Sequence, residues 1–301
     1  MVIEMKKKRV WFADFLCVLV AAIWGTGFIA SQMAIDANLS ASLIMALRFL
    51  IAAAVMLVAC LPRLKQLNLS VIKAGMIPGF FLFGGFYTQI LGQQRTTVSH
   101  CAFLTATNVV MIPFLVWLFE RRRPPVRTFV ITVFTLIGIA VLSITPGSFE
   151  FSFKFGDLLS LLCAFFFAMH ITVLGKMTKK ADPMLINFVQ LATAAIISVF
   201  VLVVTDADAL SRADMSSGIW AILFLGLFST CLCFFLQTYA QKYTTSAQAG
   251  VLLSMEGLFG SVFSVLLGME ALTGNMIAGG AMILCSVIAL EFFSGALEKE
   301  K

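Results

Sequence analysis

Charge is scarce in this sequence: Asp, Glu, Lys and Arg make up 12% of its 301 residues, about half the share in a soluble globular chain. Histidine occurs only twice, and no loop on the side expected to be cytoplasmic groups paired acids or His and Asp residues as a hydrolytic or metal site would require. There is no G-x-x-x-x-G-K-[ST] loop, which argues against direct drive by a bound nucleotide. Seven cysteines are present without zinc-type pairing; Cys231 and Cys233 form C-x-C rather than C-x-x-C. They read as small hydrophobes. No metal or cofactor is implied.

Apolar length fills the space that charge leaves. Hydrophobic residues make up 60% of the chain, and the mean hydropathy is +1.01. A helix needs about 20 apolar residues to cross a hydrocarbon core roughly 30 Å thick. Ten such stretches can be read, near 11–34, 41–61, 71–91, 98–119, 127–145, 156–175, 184–204, 217–239, 247–269 and 275–294. Backbone groups in lipid have no water to bond, so the expected fold class is all-α integral membrane. The first stretch follows Lys6, Lys7, Lys8 and Arg9 but lacks a cleavage site, so it is expected to be retained.

Lys and Arg divide 17 to 3 between alternate sets of segments, with Arg48 alone inside a span. Basic residues stay preferentially on the cytoplasmic side, so both termini are expected there, in a multi-pass cell-membrane protein. The net charge of +6 then reflects loops against anionic lipid and calls for no nucleic acid.

The chain also repeats itself. Asp14 matches Asp157 at an offset of 143, and Gln89, Gln93, Thr96, Thr97 and Asn108 match Gln237, Gln241, Thr244, Thr245 and Glu256 at 148. Two five-span repeats, 1–147 and 148–301, follow. Because five is odd, the second enters the membrane from the opposite side, the inverted arrangement of many secondary carriers.

AAIWGTGFIAS in the first span, ALRFLIAA in the second, GDLL opening the sixth and the glycine-rich end of the ninth with Glu270 together resemble the EamA-type family of the drug/metabolite transporter superfamily. The resemblance covers nearly the whole chain. It implies a monomeric or homodimeric secondary carrier, commonly an exporter of amino acids, other metabolites or toxic organic compounds. Proton antiport is the natural coupling; facilitative exchange, import and, further off, an integral-membrane enzyme are the alternatives. The first copy departs from the pattern where VVMIPFLVWLFERRRPP leaves Glu120 only a weak match to Glu270.

Candidate site residues are the polar and aromatic ones inside spans. Glu256 lies about 16 Å from the membrane edge, counting eleven residues from Thr245 at roughly 1.5 Å each, and an ionised group there costs several kcal/mol. It reads either as a buried acid held by a partner or as a substrate ligand and proton carrier. Arg48 is either a structural cation or the holder of a substrate carboxylate; together with Glu256 it would hold both ends of a zwitterion. His170 is the second candidate for proton coupling. Gln89, Gln237 and Asn108 are expected to face the cavity, and Trp24, Phe28, Tyr87 and Tyr239 to wall it. Gln93 and Gln241 read as cavity or capping residues, and Asp14 and Asp157 as helix caps. Ala247, Gly250, Ser254, Gly257, Ser261, Ser264 and Gly268 recur at spacings of three and four, as a packing seam on one helix.

Overall fold

The computed structural model describes residues 2–96, 98–121, 123–143, 154–266, 268 and 271–297. The first repeat contributes α1 (Val2–Gly25), α2 (Gly27–Asp36), α3 (Ala41–Cys60), α4 (Leu69–Gln93), α5 (Val98–Ala106), α6 (Asn108–Glu120) and α7 (Val126–Ser143). The second contributes α8 (Phe155–Met177), α9 (Pro183–Thr205), the short α10 (Ala209–Arg212), α11 (Met215–Phe224), α12 (Cys233–Ala240), α13 (Ser246–Leu253), α14 (Glu256–Leu266) and α15 (Gly274–Leu297). Among the described residues there is no strand. Among the described residues, eight helical stretches are long and apolar enough to cross a membrane, and Gly274–Ala289 forms a shorter apolar helix. The stretch near 247–269, expected as one span, is divided between α13 and α14. Glu270 and the boundary near 147 lie outside the described residues.

Helix starts follow the capping chemistry in the sequence. Asn68 Oδ1 accepts from Val71 N at 3.1 Å to open α4, and Thr245 Oγ1 accepts from Gln248 N at 3.2 Å to open α13. Asp157 caps α8 as expected, accepting from Lys154 N at 2.8 Å and from Thr96 Oγ1 at 2.6 Å. Asp14 does not cap: α1 begins at Val2, and the buried Asp14 carboxylate instead accepts from Gln248 Nε2 at 2.9 Å. The polar N-terminal segment joins the helix, which moves the start upstream of the apolar run.

The repeats are interlocked. The most extensive packing joins α4 of the first to α8 of the second, followed by α7 to α15, α4 to α9 and α3 to α9. Glycine permits the approach: a Cβ on Gly79 would stand 2.7 Å from the Gln190 carbonyl, and one on Gly92 2.7 Å from Ser160 Oγ. The aspartate bonds cross the same boundary, Thr96 to Asp157 and Gln248 to Asp14.

Helices α3 and α9 are tied at both ends. Ser42 Oγ donates to Asp206 at 3.2 Å at one, and Arg63 Nη1 reaches Asp182 at 2.7 Å at the other. The latter pair is half-exposed, so Asp182→Asn, which keeps a capping oxygen, is expected to cost less than about 1 kcal/mol. Asp182 also accepts from Met184 N and Leu185 N. Asp182→Ala should therefore cost roughly a further 1 kcal/mol, and melting curves of the two variants would separate the parts.

Candidate small-molecule cavity

Three helical stretches kink by the same local device. Thr26 Oγ1 donates to the Ile23 carbonyl at 2.8 Å, Thr107 Oγ1 to that of Leu104 at 2.6 Å, and Ser254 Oγ to that of Val251 at 2.7 Å. A hydroxyl bonded three residues back competes with the helix ladder and bends it. Thr26 separates α1 from α2, Thr107 separates α5 from α6, and Ser254 with Met255 separates α13 from α14. Asn108 and Glu256, matched in the repeat, thus each open a second half-helix. A further irregularity, a π-helix over Leu225–Leu232, lies between α11 and α12.

These features surround a cavity open to the outside. Trp24, Phe28, Arg48, Gln89, Asn108, His170, Gln237 and Glu256 all line it. Tyr87 does not: it stacks on Phe83 with ring centroids 5.3 Å apart, packed against the main core. Nor does Tyr239, which faces Phe12 and Tyr243 instead. Its helix turns Gln237 and Phe234 toward the cavity, leaving position 239 on another face.

Arg48 is 1% exposed. Its Nε donates to Thr230 Oγ1 at 3.0 Å, its guanidinium carbon lies 3.9 Å from the Phe86 ring centre, and Nη2 has no hydrogen-bond partner. Thr230 belongs to the π-helix. So does Ser229, whose carbonyl accepts from Trp24 Nε1 at 2.8 Å and fixes the indole as a wall. Glu256 is partly exposed on the cavity surface and has no ion-pair or hydrogen-bond partner among the described residues. Arg48 and Glu256 therefore share the cavity without pairing to each other.

His170 Nε2 lies 3.0 Å from Gln190 Oε1. Gln190 Nε2 donates to Asn187 Oδ1 at 2.8 Å and Thr238 Oγ1 at 3.0 Å, forming a fully buried polar network behind the wall. Sequence reading missed Asn187 and Gln190, although two amides three residues apart in an apolar run are a legible signal. It also missed the lining rings of Phe86, Phe167 and Phe234, which nothing distinguishes among 30 phenylalanines.

Neither Gln93 nor Gln241 lines the cavity; Gln241 stands at the C-cap of α12. Gln93 Nε2 donates to the Phe28 carbonyl at 3.2 Å, and Gln241 Nε2 to the Ile171 carbonyl at 2.9 Å. Phe28 and Ile171 are themselves matched at the offset of 143, so each repeat ties its third or eighth stretch to its first or sixth in the same way. The packing seam is also rearranged: a Cβ on Gly257 or Gly268 would meet nothing within 4 Å, whereas one on Gly25 would stand 2.7 Å from Gly260 N. The kink at Ser254 and Met255 shifts the helical register, moving the close contact to Gly260.

The EamA-like transporter model matches the chain twice, over residues 11–144 and 154–292. The chain belongs to the EamA-like transporter family. Two proteins of Archaeoglobus fulgidus (strain ATCC 49558), each named an uncharacterized transporter, are similar. One is 31% identical over 92% of this chain and 85% of its own length, the other 29% identical over 65% and 67%. A protein of known crystal structure shares the fold, with a TM-score of 0.78 at 19% identity over 97% of this chain and 99% of that one. As an EamA-like protein with many apolar helices, the chain is a multi-pass membrane transporter.

Proposed function

We propose that this EamA-like protein is a secondary carrier that moves a small organic molecule by alternating access, with Glu256 as its proton site. The observation that carries the reading is the cavity itself: the first repeat supplies Arg48, the second supplies Glu256, and neither charge is neutralised by a neighbour in contact. A carrier needs a site shared between repeats that move against each other. Ten spans in two inverted halves, with both termini cytoplasmic, complete the proposed topology; the two broken stretches headed by Asn108 and Glu256 support the repeat. Gln89, Asn108 and Gln237 are proposed as hydrogen-bonding groups for substrate, with Trp24 and Phe28 as apolar walls.

Counterflow in liposomes tests this. Vesicles preloaded with the transported compound are expected to accumulate labelled compound transiently, with saturating rates. Linear, non-saturating flux without counterflow would identify a channel, and conversion of the compound into a new product would identify an enzyme.

A further inference from the structure

Arg48 and Glu256 are the only formally charged residues lining the cavity among the described residues, and they differ in one chemical respect. A guanidinium stays protonated in proteins, whereas a carboxyl group in a site hostile to charge discards its charge by binding a proton. The cavity thus has one permanent positive charge and one negative charge that can be switched off. Arg48 is 1% exposed, touches no carboxylate, and leaves Nη2 without an acceptor. Thr230 and the Phe86 face hold the guanidinium but supply no countercharge. The guanidinium lines the cavity with no carboxylate in contact, and so offers a donor to an anion from outside the protein.

Resting on the carrier reading above, we propose that the transported species is an organic monocarboxylate with an aromatic or similarly flat apolar body, and that one proton travels with it on Glu256. The carboxylate takes the free edge of Arg48, and the body lies among Phe86, Phe167, Phe234 and Trp24. With the anion aboard, an ionised Glu256 would leave the cavity with net charge −1; a protonated one leaves it neutral for passage through the low-dielectric interior. Anion and proton then move in the same direction, in place of the antiport expected from the sequence. The other titratable side chain of the wall is His170, tied to Gln190, and the Cys101, Cys163 and Cys233 thiols lie near Glu256 without formal charge.

Three ligands with one phenylethyl body separate the charge requirements: 3-phenylpropanoate, phenylalanine and phenethylamine. Binding to the purified full chain in detergent, followed by melting point and by proton uptake in weak buffer at a pH alkaline enough for Glu256 to be ionised in the free protein, is expected to be strongest for 3-phenylpropanoate, with close to one proton taken up per anion bound. Arg48→Gln should weaken that binding at least about tenfold, the order of a lost charged hydrogen bond, and Glu256→Gln should bind the anion without proton uptake. Tighter binding of phenylalanine or phenethylamine, no binding by any of the three, or anion binding to wild type without proton uptake would each overturn the proposal. The wild-type comparison stands even if Arg48→Gln fails to fold. Because binding in detergent needs no transport, a failed counterflow experiment with intact carboxylate binding would sink the carrier reading alone.

Discussion

Glu256→Gln is expected to abolish net proton-coupled movement of substrate, by a hundredfold or so on the scale of a lost proton-transfer group, while leaving exchange and counterflow near wild type. The reasoning starts from isosterism. Glutamine fills the same volume and keeps a polar end, so α14 and its contact with α1 are preserved, and Asn108 shows that an amide is accommodated at the matched position in the first repeat. What disappears is the ability to load and unload a proton. The loaded carrier can still reorient, so labelled substrate on one side exchanges with unlabelled substrate on the other; the empty carrier cannot complete a cycle that requires the proton to leave. Wild-type net transport in Glu256→Gln would return this residue to a purely structural role. Loss of exchange as well as net transport would show that the carboxyl group binds substrate rather than protons.

Gly25→Val should remove folded protein from the membrane. A Cβ at Gly25 would stand 2.7 Å from Gly260 N and 2.9 Å from Phe259 Cβ, too close for any rotamer to relieve, so α1 and α14 must separate. Overpacking of this kind costs on the order of 1–3 kcal/mol when neighbours yield and more when the obstacle is backbone. Gly257→Ala provides the contrast, because its Cβ would meet nothing within 4 Å and alanine favours the helix by up to about 1 kcal/mol. Size-exclusion profiles and melting points of the two variants decide between the register shown by the structure and the seam expected from spacing. Disruption at position 257 with tolerance at 25 would restore the seam.

The same contrast shows where sequence reasoning succeeds. Hydropathy alone locates eight of the ten expected spans because an apolar helix leaves a run of about 20 residues whatever it packs against. Polar residues stranded in those runs are equally legible, since burying them demands a reason; hence Arg48, Asn108, His170, Gln89, Gln237 and Glu256 can be singled out before their common cavity is seen. Tyr87 and Tyr239 show the limit: an aromatic side chain is at home in a core, at an interface or on a cavity wall, and its identity does not choose among them. The kinks are the hardest to read. Thr26, Thr107 and Ser254 bend their helices without proline, by a hydroxyl bond that many unbent helices also contain. Missing the bend at Ser254 is enough to misplace Gly257 and Gly268.

The bonds from Gln248 to Asp14 and from Thr96 to Asp157 have a consequence for synthesis. Each joins a group made early to one made much later, and the glycine-lined side of α4 likewise faces α8 and α9, which emerge only afterwards. During translation the first repeat must wait in the bilayer with its widest helix face covered by lipid and Asp14 without Gln248. Assembly is therefore a late event: the second repeat serves as the template on which the first acquires its final shape.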